Sequence, residues 1–239
     1  MLSLLDQFDV ENPEWSFEDL HDKVGFSRST LYRYLKTLCD AGLLDSFPGR
    51  GYVLGPRIIQ LNYQIKTTDP LIRIARPVMQ ELTSEYSCVS LLCRRYQQKV
   101  LCVHQESSTS RFQSNYERGN ARPLLQGAAS LAILAHFSIY RLSKLFEVRP
   151  SDFSEAGLGS TLPEVREVLK SIRKTGWVSS CGQVTEGVTG VAAPIFDGND
   201  EVTGSLSLTL PEKDIPDSEV EQIGTRIKFC ARVLSKSLK

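Results

Sequence analysis

Cations and hydroxyl groups are concentrated in one short segment near the start of the chain, "FSRSTLYRYLKTLCDAGLL", residues 26–44. Guanidinium and ammonium groups bind phosphate oxygens, and guanidinium and hydroxyl groups also hydrogen-bond to the edges of bases. The part from Arg28 to Cys39 contains no aspartate or glutamate. A solvated helix face has a similar composition, so this segment alone does not distinguish a polyanion-binding surface from an ordinary one.

The same segment has the pattern of an amphipathic helix. Ser27 is a suitable N-cap, and Gly42 suits the left-handed position that ends many helices. At ~100° per residue, one face collects the apolar side chains Leu31, Tyr34, Leu35 and Leu38. The opposite face collects the polar side chains Ser29, Tyr32, Arg33 and Lys36. One face can therefore pack against a core while the other contacts a ligand.

The flanking sequence places this helix in a helix-turn-helix with a wing. Upstream, "WSFEDLHDKVGFS" predicts a shorter helix that begins at Ser16, with Asp19 completing a start that resembles a capping box, and that breaks at Gly25. Downstream, "GLLDSFPGRGYVLG" predicts a hairpin with Arg50 at its turn. Before both, "LSLLDQF" predicts part of a first helix with one apolar side formed by Leu2, Leu5 and Phe8.

Positive charge is concentrated on this helix and wing. Between residues 27 and 57 five cations outnumber two anions, Asp40 and Asp45, and we expect the other acidic residues of the first 60 to lie away from the cationic surface. A focused cationic edge on a chain of formal net charge +0 favours local phosphate contact over general polyanion binding. We therefore predict that residues 28–41 form a recognition helix for double-stranded DNA. The predicted base-reading residues are Ser29, Tyr32 and Arg33, the predicted phosphate contacts are Arg28, Lys36 and Arg50, and Ser27 and Thr30 complete the predicted interface.

Composition argues against several other classes of protein. The 239 residues leave room for two domains, and no apolar run approaches the ~18 residues of a membrane span. The acidic N-terminus is unlike a signal peptide, so we expect a cytoplasmic protein without membrane contact. The six cysteines form no CxxC pair, which predicts buried free thiols, and the three histidines lack metal-ligand spacing. With no P-loop, GxGxxG or GxSxG motif either, we predict neither a metal nor a cofactor.

The remainder of the chain predicts two further parts after a DNA-binding domain of residues 1–55. Residues 56–69 predict a linker helix with a thin apolar edge of Ile58, Leu61 and Ile65, which could contact its own domain or a second subunit. Residues 70–239 begin with a helix whose first residue is Pro70 and which is kinked at Pro77.

The pattern within residues 70–239 favours an α+β domain of the sensor type. Paired strands "CVSLLCRR" and "KVLCVHQES" are followed by a polar loop and the apolar helix "GAASLAILAHF". An amphipathic helix then ends at Gly176, and its inward residues are predicted to be Val165, Val168, Leu169 and Ile172. Two strands around residues 197–199 and a last helix complete the domain. Antiparallel strands flanked by helices indicate a sheet covered by helices.

The chain resembles the isocitrate-lyase-regulator (IclR) family of transcriptional regulators over nearly its whole length. The segments that carry the resemblance, in order, are "FSRSTLYRYLKTLCDAGLL", "GYVLGPRIIQL", "IARPVMQEL", "RPLLQGAASLAIL", "KTGWVSSCGQVTEGVTGVAAPIFD" and "SLSLTLP". The resemblance implies an N-terminal winged helix-turn-helix, a linker helix and a C-terminal effector-binding domain with a GAF-like fold. It also implies homodimers, often dimers of dimers. Because a two-fold dimer presents two equivalent reading helices, we expect it to bind inverted DNA half-sites.

The resemblance further implies a pocket for a small acidic effector. It places backbone N–H donors at Ala128 and Ala129, next to Gly127, and side-chain positions at Ser180, Gly190, Ser207 and Thr209, with Cys181 following Ser180. Ser207 and Thr209 are two residues apart on a predicted strand, so their hydroxyls share a face; alternatively, they only face solvent.

This chain departs from the family pattern in ways that bear on the effector. Ser180 stands where many members carry an acid, Gly190 where several carry a cysteine, and Leu125 and Gly127 replace a polar residue and a hydroxyl. We therefore expect a roomier, more apolar pocket and a larger carboxylate, one with an aromatic ring for example. Two alternatives to a regulator are an enzyme that uses the Cys181 thiol and a metabolite-binding protein whose helix-turn-helix only dimerises.

Overall fold

The structure is a computed structural model that describes residues 1–108 and 117–238. The chain divides into two compact units, Met1–Asp69 and Pro70–Lys239. Each unit has its own buried apolar cluster. The linker helix predicted over residues 56–69 falls in the first unit, and the second unit begins at the predicted residue 70.

The first unit is a winged helix-turn-helix. Its elements are a 3₁₀ helix Leu2–Gln7, strand β1 Glu14–Trp15, helices α1 Phe17–Val24 and α2 Arg28–Asp40, strands β2 Leu44–Phe47 and β3 Gly51–Leu54, and helix α3 Pro56–Thr68. The three strands form an antiparallel sheet in the order β1-β3-β2. The sequence pattern does not predict β1, because a two-residue strand has no period of its own.

The predicted helix boundaries agree with the structure. The Ser16 hydroxyl caps α1 by accepting from the Asp19 N–H, and the Ser27 hydroxyl caps α2 by accepting from the Thr30 N–H. At the end of α2, Gly42 has φ +69°, and the Leu43 N–H donates to the Leu38 carbonyl at 2.9 Å. This glycine-dependent bonding pattern satisfies carbonyls that the helix itself leaves free.

The apolar side predicted for the first helix is wrong in part. The first helix buries Leu4, which the predicted side did not include, whereas Leu2 is 62% exposed; Leu5 is half-buried and Phe8 is buried as predicted. Helix α3 has no fully buried residue. Ile58 and Leu61 of its predicted edge are half-buried, whereas larger exposed apolar side chains lie elsewhere on the helix, at Ile59 and Tyr63.

The second unit is built on a six-stranded antiparallel sheet with helices on both faces. Its elements are α4 Pro70–Glu85, β4 Val89–Tyr96, β5 Lys99–Ser107, β6 Ala121–Pro123, α5 Ala128–Leu134, α6 Ile139–Val148, α7 Pro150–Glu155, α8 Leu162–Thr175, β7 Val178–Cys181, β8 Val188–Phe196, β9 Val202–Pro211, a 3₁₀ turn Glu212–Asp214 and α9 Asp217–Ser237. The strand order is β6-β5-β4-β9-β8-β7. The α+β class predicted from the sequence is confirmed.

Alternation along the strands divides the core between the two faces of the sheet. On β9, Leu206, Leu208 and Leu210 pack into the cluster that contains residues of α4 and α9. The residues between them face α5, and the Ser205 hydroxyl donates to the Ala129 carbonyl at 2.9 Å. Ser205 and Ser207 are buried and Thr209 is half-buried, so the Ser207 hydroxyl does not face solvent.

Several parts of this unit differ from the sequence prediction. Val168 of α8 is 36% exposed, whereas Val165 and Leu169 are buried as predicted. The sequence analysis does not predict β6, β7, α6 or α7. Strands β6 and β7 and helix α7 are too short to show a complete period, whereas α6 is an amphipathic helix of ten residues that buries Leu142 and Leu145 and was missed. The predicted polar loop contains β6 near its end, and its residues 109–116 lie outside the described residues.

Residues 1–108 and 117–238 contain no helix long and apolar enough to cross a membrane. In the same ranges, no group of three or more His, Cys, Asp and Glu residues is arranged to hold a metal ion. Of the six cysteines, Cys181 is exposed, Cys39 is half-buried and the other four are buried.

Candidate nucleic-acid interface and effector pocket

The polar face of α2 is open to solvent. Ser29, Tyr32, Arg33 and Lys36 are exposed, whereas the three leucines of the opposite face are buried. The Arg33 guanidinium lies 5.7 Å from the centre of the Tyr34 ring. This cation–π contact orients the arginine without using its hydrogen-bond donors. The packing of the leucines therefore presents four polar side chains on one helical surface.

Hydroxyl groups at the start of α2 bond to one another. Ser27 Oγ donates to Thr30 Oγ1 at 2.9 Å and lies 3.3 Å from Ser29 Oγ, while it also caps the helix. Ser27 and Thr30 thus act first as structural residues of the turn. Of the three, Ser29 belongs to the exposed face described above.

Two arginines of the predicted interface already bind carboxylates, which corrects the expectation that acidic residues lie elsewhere. Arg28 makes two hydrogen bonds to Glu18, at 2.6 and 2.5 Å, and Arg50 Nε lies 3.3 Å from a Glu14 oxygen. The Arg28 hydrogen bonds lower the pKa of Glu18, and Glu18 in turn raises the pKa of Arg28. Helix packing and the β1–β3 pairing bring together residues that the sequence analysis treated as separate.

A cavity lies between the first turn of α5, the sheet and the loop after β7. It contains about 530 Å³ of space between atoms, including its mouth. Seven of the eight predicted effector residues line it: Gly127, Ala128, Ala129, Ser180, Gly190, Ser207 and Thr209.

Strand register explains why the side-chain positions meet. Ser180 pairs with Gly190, and Gly190 pairs with Thr209, so the three form one row across β7, β8 and β9. Glycine contributes no side chain to the middle of this row, which leaves space between the two hydroxyl residues. Ser207 occupies the same face of β9 two residues earlier, where it pairs with Leu91 of β4.

Backbone donors at the start of α5 point at side chains from the loop and strand opposite. The Ala128 N–H donates to Ser180 Oγ at 2.9 Å, and the Gly127 N–H donates to Gln183 Oε1 at 3.1 Å. Gly127 has φ +80°, and a Cβ atom there would lie 2.7 Å from Val184 Cγ2. The glycine therefore permits both the left-handed turn and the close approach of the β7–β8 loop.

Two residues considered in the sequence analysis lie outside this cavity. Cys181 follows Ser180 on β7, so its side chain points to the opposite face of the sheet, where it borders a separate surface groove with Thr189. Leu125 is buried in the apolar core and is not among the lining residues. Neither residue sets the polarity of the cavity wall.

The structure adds lining residues that the sequence analysis does not name. Arg122 of β6 is the one charged residue among the described residues that line the cavity. Gln183, Val184 and Val188 come from the β7–β8 loop and the start of β8, and Leu91 comes from β4. Arg122 is visible in the segment "RPLLQGAAS" as a cation close to the predicted pocket. Whether its side chain faces the cavity depends on strand β6, which the sequence analysis does not predict.

A winged helix-turn-helix with an exposed recognition face, joined to an α+β unit with a polar cavity, defines a class of bacterial-type transcriptional regulators. Residues 64–236 match the family model described as "Bacterial transcriptional regulator IclR C-terminal", and residues 1–46 match the "IclR helix-turn-helix domain". The chain belongs to the IclR family, a family of DNA-binding transcriptional regulators rather than enzymes.

Named relatives and solved structures agree with this assignment. The glycerol operon regulatory protein of Streptomyces griseus is 25% identical over 226 residues, which cover 92% of this chain and 87% of that protein. The transcriptional repressor IclR of Escherichia coli is 23% identical over 235 residues, 97% of this chain and 85% of the relative. The fold is similar to an IclR homologue from Microbacterium hydrocarbonoxydans in complex with 4-hydroxybenzoate, with a TM-score of 0.75, 19% identity and coverage of 99% of this chain and 96% of that one. An IclR regulator structure from Alicyclobacillus acidocaldarius gives a TM-score of 0.81 at 18% identity, over 100% of this chain and 96% of that one.

Proposed function

We propose that this regulator changes its affinity for operator DNA when a small carboxylate binds in the cavity of the second unit. The observation that carries the proposal is the convergence of Ser180, Ser207, Thr209 and the first-turn N–H groups of α5 around one cavity. These groups come from three separate elements, β7, β9 and α5, which the fold brings to one cavity.

The chemistry of the cavity fits an acid with an apolar part. Arg122 can bind a carboxylate, and the hydroxyls of Ser207 and Thr209 can donate to its oxygens. Leu91, Val184 and Val188 provide apolar wall for a ring or an alkyl chain. The complex of the Microbacterium homologue with 4-hydroxybenzoate supports an aromatic hydroxy acid as the first compound to test.

We propose that α2 lies in the DNA major groove. Arg33, Tyr32 and Ser29 then reach base edges, while Lys36, Arg28 and the wing residue Arg50 contact phosphates. A two-fold dimer of this unit binds inverted half-sites about one helical turn apart, roughly 34 Å. The exposed apolar side chains Ile59 and Tyr63 of α3 form part of the contact between the two copies.

In this proposal the dimer has two arrangements, one that binds operator DNA more tightly than the other. Effector and DNA are coupled because the effector also binds these two arrangements with different affinity. A coupling of ~1–3 kcal/mol changes DNA affinity by roughly 5–150-fold, and DNA must change effector affinity by the same factor. This reciprocity separates a regulator from a metabolite-binding protein that only dimerises through its helix-turn-helix.

Electrophoretic mobility shift with DNA from upstream of the chain's own coding sequence tests the proposal. We expect a specific complex whose affinity changes when aromatic and aliphatic carboxylates are added singly, and a footprint with inverted symmetry. A chain that forms a complex equally well with every duplex and ignores every carboxylate contradicts the proposal. Lys36→Ala is the matched control, because it weakens DNA binding and leaves the cavity unchanged.

A further inference from the structure

Two of the arginines assigned to phosphate contact carry their own counter-ion within the same unit. Glu18 of α1 holds Arg28 through both guanidinium nitrogens, at 2.6 and 2.5 Å. The Arg28 guanidinium also lies 5.2 Å from the centre of the Phe17 ring, which fixes its plane. On the wing, Glu14 of β1 lies 3.3 Å from Arg50. Each acid therefore lies against guanidinium nitrogens that could otherwise donate to a phosphate.

Both ion pairs are open to solvent and can exchange partners. The side chains of Arg28 and Glu18 are 60% and 62% exposed, and those of Arg50 and Glu14 are 72% and 44% exposed. Exposed pairs of this kind are weak, so a phosphate oxygen can displace the carboxylate. In the described part of the chain, no carboxylate contacts Lys36 on the same surface.

We propose that Glu18 and Glu14 compete with DNA phosphates for Arg28 and Arg50, and so restrain the binding of this regulator to DNA of any sequence. The proposal rests on the DNA orientation given under the proposed function. Each arginine must release a carboxylate before it neutralises a phosphate, so part of the electrostatic gain on binding is lost. Non-specific binding depends almost entirely on phosphate contacts, so this competition weakens it more than it weakens binding to the operator.

The test compares Glu18→Gln with Asp22→Asn in the full chain. Asp22 lies one turn further along α1 and acts on Arg28 through its charge, whereas Glu18 hydrogen-bonds to it. Both substitutions remove one negative charge from an exposed residue of the same helix, so their difference isolates the hydrogen-bonded pair.

Binding to a duplex of arbitrary sequence is measured by fluorescence anisotropy between about 50 and 200 mM salt. We expect Glu18→Gln to raise the association constant roughly two- to five-fold more than Asp22→Asn does, the factor that corresponds to one exposed ion pair. The dependence on salt should steepen by about one phosphate contact. In an Arg28→Gln background, the two substitutions should have the same effect.

Equal effects of Glu18→Gln and Asp22→Asn in the otherwise native chain overturn the inference. A loss of affinity on Glu18→Gln also overturns it, because Glu18 would then hold Arg28 in place for DNA. A native chain that binds no duplex even at the lowest salt overturns the proposed function as well, so the two failures are distinguishable. Circular dichroism melting of both variants shows whether the folded population is the same.

Discussion

The Ser180 hydroxyl of β7 accepts a hydrogen bond from the Ala128 N–H of α5, at 2.9 Å, across the cavity wall. Gln183 receives the neighbouring Gly127 N–H in the same way. Side chains of the β7–β8 segment thus occupy donors that a bound carboxylate could use. An effector must either displace these oxygens or bind beside them, with Ser207, Thr209 and Arg122 as its partners.

The hydroxyls of Ser207 and Thr209 test whether this cavity is the effector site. Ser207→Ala combined with Thr209→Val removes both donors and nearly keeps the volume. We expect the double variant to lose its response to the effector, while ligand-free DNA binding stays close to that of the native chain. Thr189→Val, on the opposite face of the sheet, should keep the response. Collapse of ligand-free DNA binding would instead show that the two hydroxyls are structural.

A methyl group at residue 190 should narrow the cavity without straining the backbone. A Cβ atom there would lie 3.3 Å from Ser180 Oγ and 3.5 Å from Ala128 Cβ. We expect Gly190→Ala to weaken effector binding by about 1–3 kcal/mol, the usual range for overpacking. Isothermal titration measures this change, and thermal unfolding serves as the control. Unchanged affinity places the effector away from the row formed by Ser180, Gly190 and Thr209.

Arg33 and Lys36 should differ in what they contribute to DNA binding. If Arg33 reads a guanine, Arg33→Ala should cost ~1–3 kcal/mol at one base position and relax specificity there. Lys36→Ala should weaken all sequences alike and reduce the salt dependence by about one contact. Competition assays with operator variants measure both effects. Equal losses on operator and random DNA for Arg33→Ala contradict the assignment.

Helix α3 should carry part of the dimer contact. Ile59 is 73% exposed and Tyr63 is 67% exposed, one turn apart on the same face. An aspartate at Ile59 would have to be desolvated in the contact, so we expect Ile59→Asp to shift the chain towards monomer in sedimentation velocity at micromolar concentration. Gln64→Asp adds the same charge at another exposed position of α3 and should not. A native chain that is already monomeric refutes the dimer.

His136 should make stability depend on pH. Burial, with a smaller contribution from Arg173, lowers the pKa of His136 from 6.5 to about 4. The unfolded chain therefore binds this proton first, and the contribution of His136 to stability is lost as pH falls from about 6.5 towards 4. Between pH 7 and pH 5, we expect the free energy of unfolding of the native chain to fall by about 2 kcal/mol more than that of His136→Gln, as measured by urea unfolding. The carboxyl groups are the same in both proteins, so their contributions cancel in this comparison.

The sequence alone determined the longer periodic elements and the order of the two units, but not the short strands β1, β6 and β7 or the helices α6 and α7. Ser27, the leucine spacing and Gly42 define α2 because caps and periodicity act within a few residues of one another. Of the eight effector residues that the family resemblance implied, seven line one cavity. The period of two on β9 placed Ser207 and Thr209 on one face.

The tertiary structure decided which distant residues meet. Glu18 and Glu14 reach Arg28 and Arg50 only when α1 packs on α2 and β1 pairs with β3, and no local pattern contains those distances. Arg122 lines the cavity because the three-residue strand β6 pairs with β5. Cys181 does not line the cavity, because neighbouring residues of a strand point to opposite faces of the sheet. Only the packed sheet decides which of the two faces encloses the cavity.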